Sequence, residues 1–511
     1  MPLTVRCAAV TLLAVTPLAA QSAPLWRYTA TAAVSFFQVT PLGNVVVATA
    51  DGLVGLDPDS GTVIWTRDDL KDLDRPSYAA IRQSPFATVQ VGERFELIDL
   101  VTGASRWSTP PSADLEPYLP IPERGLILAY GSTDSLEHIL VAFDLGTGAV
   151  RWERAQPFNL GKDSVGPERA LWVSDSTFML YVPKHGPVLL HAGTGEWLWG
   201  ADKLQGWGSL PLLGAPTWLR GGTMVLGDSV VYVVRENRLH ALRTRDGAPI
   251  WAQSPRLPTS VAQLALTPRG IVVFGRTGPG KPWLRLIDPA TGESRWSKRF
   301  GGLLNDAPEV TPFVAAERHV YIAVNDKLVA VSLEDGSTTE VARVEFKGGE
   351  HPFRLERRGD ELLLIGNQNL MLLDSTGAER YHTYHPAPGR STLANVGLGV
   401  LAVVANAASL AASALSTMDP ASRSGSAPDL WFPDLGKRYT ASEQARNYVY
   451  SVAHEEDSTG HKRPVFLRLH KDDGRVAGRV WLEEKRPEYQ LDPITGTLYV
   501  RDGREILAFK F

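Results

Sequence analysis

Short apolar runs alternate with polar turns along this chain, and one such unit recurs over most of its length. Runs such as Phe95–Ile98 and Leu328–Val331 have the apolar content that is typical of strands with one or two buried faces. A turn with Gly follows each run, and in the clearest copies, Leu56–Trp65 and Leu286–Trp296, a Trp stands four residues after the Gly. The pattern predicts a repeated β unit.

The spacing of the turn glycines gives the size of the unit. They are Gly61, Gly103, Gly148, Gly195, Gly247, Gly292, Gly336, Gly377 and Gly474. The first eight lie 41 to 52 residues apart, and a gap of 97 residues precedes the last. Four short strands and three turns fill about 45 residues, so each unit is predicted to be one blade of a β-propeller.

Each feature that recurs among the copies of the unit has a physical role. Asp carboxylates at the start of the turn can accept backbone N–H bonds, and they occur at Asp57, Asp99, Asp144, Asp288 and Asp374. The Gly supplies a positive φ. The Trp is expected on the outer strand with its ring against the neighbouring blade, at Trp65, Trp107, Trp152, Trp199, Trp251 and Trp296. Later copies replace this Trp by Glu340, Tyr381 and Gly478.

The two ends of the sequence complement each other. Thr497–Val500 and Glu505–Phe509 predict middle strands of a blade, and Pro24–Thr29 matches the segment that forms the outer strand elsewhere. We therefore expect one blade to be shared between the termini, which removes an exposed sheet edge.

The long gap contains a degenerate copy of the unit, which raises the predicted number of blades to eleven. Its parts are Leu401–Val404, Ala411–Met418, Asp419-Pro420, Gly425 and Trp431. The predicted fold is an all-β, closed propeller of four-stranded blades, about 8–11 in number.

Charge, cysteine content and the first residues narrow the functional classes. The formal charge is −4 with no long basic run, which argues against nucleic-acid binding. Arg6, the apolar run Ala8–Val15 and small residues before position 20 predict a signal peptide at 1–20, followed by the propeller at 21–511. Cys7 is the only cysteine and lies in this leader, away from a lipoprotein cleavage position. We expect a periplasmic or secreted monomer without a membrane span.

The motif apolar-Asp-x-x-Thr-Gly-x-x-x-Trp resembles the repeat of quinoprotein-like propellers, which are named after pyrroloquinoline quinone (PQQ). The best copies are Asp99–Trp107, Asp144–Trp152 and Asp288–Trp296, and the resemblance covers about residues 24–511. It implies the blade type and leaves activity open, because this family contains PQQ-dependent dehydrogenases and non-enzymatic members such as the outer-membrane barrel-assembly lipoprotein. The alcohol dehydrogenases typically have a disulfide of adjacent cysteines at the cofactor, which this chain lacks; some sugar dehydrogenases lack it as well.

Histidine-rich, glycine-rich and acidic segments are candidates for metal-binding or phosphate-binding sites. His382 and His385 have a metal-like spacing, but a strand would place them on opposite faces, so packing is expected. His454–His461 lies between two strands and predicts a solvated hairpin loop. Arg276–Lys281 has the composition of a phosphate loop without its spacing, and a hairpin turn is expected there. Asp57 and Asp59 belong to a recurring turn and not to a calcium loop.

Five tryptophans fall outside the repeated position: Trp172, Trp197, Trp207, Trp218 and Trp283. The dense group from Trp197 to Trp218, with Trp207 between two glycines, is either packed between blades or a face for a glycan or peptide.

No catalytic, cofactor-binding or metal-ligating residue is assigned from the sequence. The preferred function is an exported, non-enzymatic scaffold that binds envelope proteins, a small ligand or a glycan. The alternatives are a PQQ-dependent dehydrogenase without the cysteine pair, which would need PQQ and calcium, and a carbohydrate-binding module. No cofactor is expected under the preferred function.

Overall fold

A computed structural model describes most of the chain from residue 23 to residue 511. The segments outside it are 1–22, 76, 82–83, 93, 109–113, 122–123, 133–137, 148, 156–169, 183–185, 201–223, 236, 259–260, 278–280, 301–309, 388–446, 458 and 484–486.

The described residues form ten small antiparallel sheets, numbered here as blades in chain order. Blades 1 to 3 consist of β2 (Val34–Val39), β3 (Val45–Thr49), β4 (Gly52–Leu56) and β5 (Val63–Arg67); β6 (Tyr78–Ala80), β7 (Phe86–Val91), β8 (Arg94–Asp99) and β9 (Ser105–Ser108); and β10 (Asp114–Ile121), β11 (Leu126–Ser132), β12 (His138–Asp144) and β13 (Val150–Ala155). Blades 4 and 5 consist of β14 (Ala170–Ser174), β15 (Thr177–Val182), β16 (Gly186–His191) and β17 (Trp197–Trp199); and β18 (Met224–Leu226), β19 (Val230–Arg235) and β20 (Arg238–Arg243).

The second half of the chain continues the series. Blades 6 to 8 consist of β21 (Val261–Thr267), β22 (Gly270–Thr277), β23 (Lys281–Ile287) and β24 (Ser294–Arg299); β25 (Val314–Ala315), β26 (His319–Val324), β27 (Lys327–Ser332) and β28 (Thr338–Arg343); and β29 (Arg354–Arg358), β30 (Glu361–Ile365), β31 (Asn369–Leu373) and β32 (Glu379–Tyr384). Blades 9 and 10 consist of β33 (Tyr448–Glu456), β34 (Lys462–His470) and β35 (Val476–Trp481); and β36 (Glu488–Asp492), β37 (Thr497–Asp502), β38 (Glu505–Lys510) and β1 (Trp26–Thr29).

Apolar clusters between the sheets close the ring. Each of ten buried clusters joins one blade to the next, and the cluster with Trp26, Phe37 and Tyr499 joins blade 10 back to blade 1. The fold is thus a ten-bladed β-propeller, as predicted in type. The count is one below the eleven units counted in the sequence, because blades 8 and 9 pack directly on each other through Leu363 and Leu467. The proposed eleventh copy, at 401–431, lies outside the described residues.

The shared terminal blade is confirmed. Strand β1 pairs antiparallel with β38, with Trp26 opposite Ala508 and Thr29 opposite Glu505. The sheet order is β1-β38-β37-β36, so the N-terminal strand completes the outer edge of the blade. Among the described residues, no helix has the length and apolarity to cross a bilayer.

The repeated Trp contacts the next blade, as predicted, at Trp65, Trp152, Trp199, Trp251 and Trp296; the side chain of Trp107 lies outside the described residues. At six junctions its ring lies over the turn Gly of the following blade, and its indole N–H donates to a carbonyl of that turn region at 2.8–3.3 Å. These interblade Trp–Gly contacts are Trp26–Gly61, Trp65–Gly103, Trp152–Gly195, Trp199–Gly247, Trp251–Gly292 and Trp296–Gly336. A large ring and a residue without Cβ therefore form one complementary pair across each of these junctions.

The pair is inverted between blades 9 and 10. Gly478 occupies the Trp position of blade 9, and Phe511, the residue that directly follows β38 of blade 10, lies against it. A Cβ on Gly478 would come within 2.8 Å of the Phe511 Cβ. The Phe511 ring also contacts Tyr450 and Phe466, at 5.6 and 5.8 Å between centroids. At this junction the large side chain, Phe511, belongs to the following blade 10, and the small residue, Gly478, belongs to the preceding blade 9.

Restoring the usual Trp at this junction should therefore destabilise the protein. Gly478→Trp adds a second large ring to occupied space, and we expect the free energy of unfolding to fall by about 1–3 kcal/mol. Urea denaturation followed by circular dichroism measures this. In Gly478→Trp/Phe511→Ala the removal of the Phe511 ring makes room for the new Trp, so part of the lost stability should be recovered. Ala477 is an exposed neighbour, and Ala477→Trp should change the free energy of unfolding little. A Gly478→Trp variant as stable as the parent would contradict the inverted packing.

Candidate partner-binding surface

The two closely spaced histidines lie on opposite faces of blade 8. His382 Nε2 donates to Asn369 Oδ1 at 2.9 Å, and its ring stacks on Phe346 from the blade 7 side. His385 points to blade 9, with Nδ1 3.6 Å from the Glu455 carboxylate. Burial lowers the pKa of both imidazoles. They do not share a ligand site, as the strand periodicity predicted.

The His454–His461 segment belongs to a hairpin, as predicted, but its first three residues are paired with β34 as the end of β33. The loop begins at Asp457, whose Oδ1 accepts the N–H groups of Thr459 at 2.8 Å and His461 at 3.1 Å. The Arg276–Lys281 segment likewise joins two paired strands, β22 and β23, and not a strand and a helix.

The additional tryptophans that the structure describes are packing residues. Trp283 is fully buried in the cluster between blades 5 and 6. Trp197 packs against the cluster of blades 3 and 4. Trp207, Trp218 and the side chain of Trp172 lie outside the described residues, so the proposed glycan face at Trp207 stays a prediction.

Turn chemistry explains the acidic residues of the motif. Asp57 Oδ1 accepts the N–H groups of Asp59 at 3.0 Å and Ser60 at 2.8 Å. Its pKa is lowered, because these bonds and the Ser60 hydroxyl outweigh the cost of its partial burial. Among the described side chains, no three of His, Cys, Asp and Glu are close enough to hold a metal ion.

A small depression lies between blades 6 and 7. It has a volume of about 170 Å³ and is lined by Arg269, Arg318, His319, Ser332 and Glu334. The lining contains both cationic and anionic side chains and so favours no single class of ligand.

Four arginines lie at the border of blades 5 and 6 without an ion pair to any residue that the structure describes. Arg238 and Arg256 are directly opposite each other in a bridge at the edge of blade 5. Arg285, on β23 of blade 6, reaches across the border and donates to the Arg256 carbonyl at 2.7 Å. Arg299 lies on β24, and its charge helps to lower the pKa of Arg285, for which burial is the larger cause. We call Arg238, Arg256, Arg285 and Arg299 the basic seam.

Three outer-strand arginines are neutralised within their own blades. Arg106 of blade 2, Arg151 of blade 3 and Arg295 of blade 6 each pair with the Asp at the start of their own turn. In contrast, no member of the basic seam forms an ion pair with any residue that the structure describes. A guanidinium group that is not engaged in an ion pair can bind a carboxylate or phosphate in a bidentate manner.

Sequence reasoning missed this surface because its members are spread over 62 residues and no basic run marks them. The charge of a window the size of one or two blades is the signal that reveals it. Residues 235–299 contain twelve Arg or Lys and four Asp or Glu, a formal charge of +8, whereas the whole chain carries −4.

The repeat also matches a known protein family. The family model described as outer membrane protein assembly factor BamB matches residues 49–181 and 184–344, which is more than half of the chain. The chain belongs to this family. Its matched part spans the second strand pair of blade 1 through blade 7 and thus includes the basic seam. A search of curated proteins gave no match.

Solved structures are similar to this chain at low sequence identity. BamB from Moraxella catarrhalis is 15% identical, with 69% of this chain and 96% of that chain covered and a TM-score of 0.35. The quinohemoprotein alcohol dehydrogenase ADHIIG from Pseudomonas putida HK5 is 11% identical, with 76% and 81% covered and a TM-score of 0.30. Neither similarity bears on what this chain does.

Proposed function

We propose that this chain is a non-enzymatic scaffold that binds a partner protein in the cell envelope. The observation that carries the proposal is the family match, which extends from the second strand pair of blade 1 through blade 7 and whose description is that of an assembly factor. An envelope location is consistent with the leader pattern of Arg6 and Ala8–Val15. A rigid ring suits this role, because it presents many loops and outer strands at fixed relative positions.

Capture of the partner tests the proposal. The full chain is cross-linked in the native envelope fraction and purified, and the cross-linked protein is identified by mass spectrometry. We expect one protein to be enriched reproducibly and to bind again when both components are purified. Enrichment that does not survive this rebinding step would count against a scaffold role.

The dehydrogenase alternative has a separate measurement. Purified protein is incubated with PQQ and Ca²⁺, and we expect neither a retained quinone absorbance nor dye reduction with alcohols or aldoses. The physical reason is that the described residues bring together no carboxylate or imidazole set for the cation. A quinohemoprotein alcohol dehydrogenase treated identically serves as the positive control. Bound quinone together with substrate-dependent turnover would overturn the proposal.

A further inference from the structure

The basic seam holds like charges together by backbone pairing. The Arg238–Arg256 bridge is flanked by the bonds Leu239 N–H to Pro255 O at 3.1 Å and Leu257 N–H to Asn237 O at 2.6 Å. This arrangement is the non-hydrogen-bonded antiparallel pair, in which opposite side chains approach most closely. Like charges at such positions destabilise a sheet unless an opposite charge is present.

Arg285 is the recessed member of the seam. Its side chain is partly buried, its Nη1 is fixed on the Arg256 carbonyl, and its Nε–H is buried without a hydrogen-bond partner. The charge therefore remains uncompensated in a position of reduced solvation, where an added carboxylate gains more than it would on an open surface.

Apolar side chains are exposed on the neighbouring outer strands. Ile250, in the same outer segment as Arg256, is 39% exposed, and Leu198 on blade 4 is 43% exposed. Trp199, which follows Leu198, packs on Gly247 of blade 5, so Leu198 and Ile250 flank one junction. Exposed apolar side chains thus lie at the junction of blades 4 and 5, one junction away from the basic seam.

We propose that the basic seam binds an acidic segment of the partner protein, with glutamate or aspartate side chains on the four arginines. This inference rests on the proposed scaffold function and specifies the chemistry of the partner. A peptide segment fits better than an anionic membrane surface, because a single carboxylate on a narrow chain can approach the recessed Arg285. A flat layer of headgroups would meet only the projecting arginines.

The test uses a fluorescein-labelled oligoglutamate peptide, with an oligoglutamine peptide of the same length as the control ligand. Fluorescence anisotropy with the full chain at low ionic strength should show binding of the first peptide only. Added NaCl should weaken it, because the Debye length falls to about 10 Å at 0.1 M. In Arg256→Gln/Arg285→Gln we expect the Kd to rise about tenfold or more, as for the loss of two charge-assisted contacts.

The matched control is Arg106→Gln/Arg151→Gln, which removes the same net charge from blades 2 and 3 and should leave the Kd nearly unchanged. If Arg256→Gln/Arg285→Gln does not fold, Arg238→Gln/Arg299→Gln tests the same seam at exposed positions.

Equal losses of peptide affinity in seam and control variants, absence of peptide binding, or binding to phosphatidylglycerol vesicles without peptide binding would each overturn the inference. Capture of the envelope partner unaffected by the seam substitutions would reject the inference and leave the scaffold function standing. Peptide binding at the basic seam without any captured envelope partner would support the seam as an anion-binding surface and reject the scaffold function.

Discussion

Trp152→Ala should lower the free energy of unfolding by about 3–5 kcal/mol, the range for truncating a buried Trp. Trp152 is 6% exposed, and its indole N–H donates to the Ala192 carbonyl at 2.9 Å. The ring also covers Gly195, where a Cβ would lie 2.4 Å from the ring atom Cε3. The variant loses apolar contact, leaves a cavity between blades 3 and 4 and loses the hydrogen bond to the Ala192 carbonyl. Urea denaturation followed by circular dichroism gives the change.

A double-mutant cycle isolates the Trp–Gly part of this effect. Gly195→Ala introduces a Cβ at φ 66° and a clash with the ring, so it should be costly in the parent. In the Trp152→Ala background only the cost of the positive φ remains, about 1–2 kcal/mol. Trp296→Ala is the matched comparison, since Trp296 is only partly buried and its N–H bond is longer, at 3.3 Å, and it should lose less. Additive single losses at Trp152 and Gly195 would contradict the pairing.

The parts of the fold that depend on local sequence were predicted from the sequence. The turn Asp, the turn Gly and the outer-strand Trp lie within one hairpin, and steric and hydrogen-bond rules fix their roles without reference to other blades. The junction between the termini was predicted for the same reason. Trp26 and its flanking residues repeat the local pattern of an outer strand, and β38 has no other partner on that side.

Features that depend on packing between distant segments were not predicted. The number of blades required the knowledge that blades 8 and 9 share one core, although 62 residues separate Tyr384 and Asn447. Gly478 seemed to be a decayed motif, and only its contact with Phe511 shows that the pair is inverted. The basic seam depends on strand register, which places Arg238 opposite Arg256 and Arg285 beside it.

The junction of blades 8 and 9 has a second unusual feature, which is a cluster of charges near the substituted Trp position. Tyr381 replaces Trp, lies over Gly474 and donates its O–H to the Lys471 carbonyl. The Lys471 ammonium lies 2.7 Å from Glu356 on β29, and the two side chains are 10% and 18% exposed. Arg354 contacts the same carboxylate at 2.8 Å. A nearly buried ion pair thus joins two blades that a long connection separates in sequence.

Opposing effects act on the pKa values of this pair. Burial disfavours ionisation of Glu356, but the charges of Lys471 and Arg354 and the Lys471 hydrogen bond outweigh it and lower the pKa of the carboxyl. Burial also lowers the pKa of Lys471, against the attraction of Glu356. The ionised carboxylate is favoured at this junction, because Lys471 and Arg354 both flank Glu356.

Lys471→Met should lower the free energy of unfolding by about 3 kcal/mol at neutral pH, because it leaves a poorly solvated carboxylate with only Arg354 as partner. Glu356→Leu/Lys471→Met removes both charges and should recover most of the loss. Because the folded-state pKa of Glu356 lies below the ordinary 4.5, its contribution is complete above that pH and is lost as the pH falls through the folded-state value. Without Lys471 the carboxyl protonates at higher pH, so the stability gap between parent and Lys471→Met should narrow on acidification. Urea denaturation between neutral pH and pH 4 measures this gap. A gap that is constant with pH, or a double variant as unstable as Lys471→Met, would show that the charge pair does not stabilise this junction.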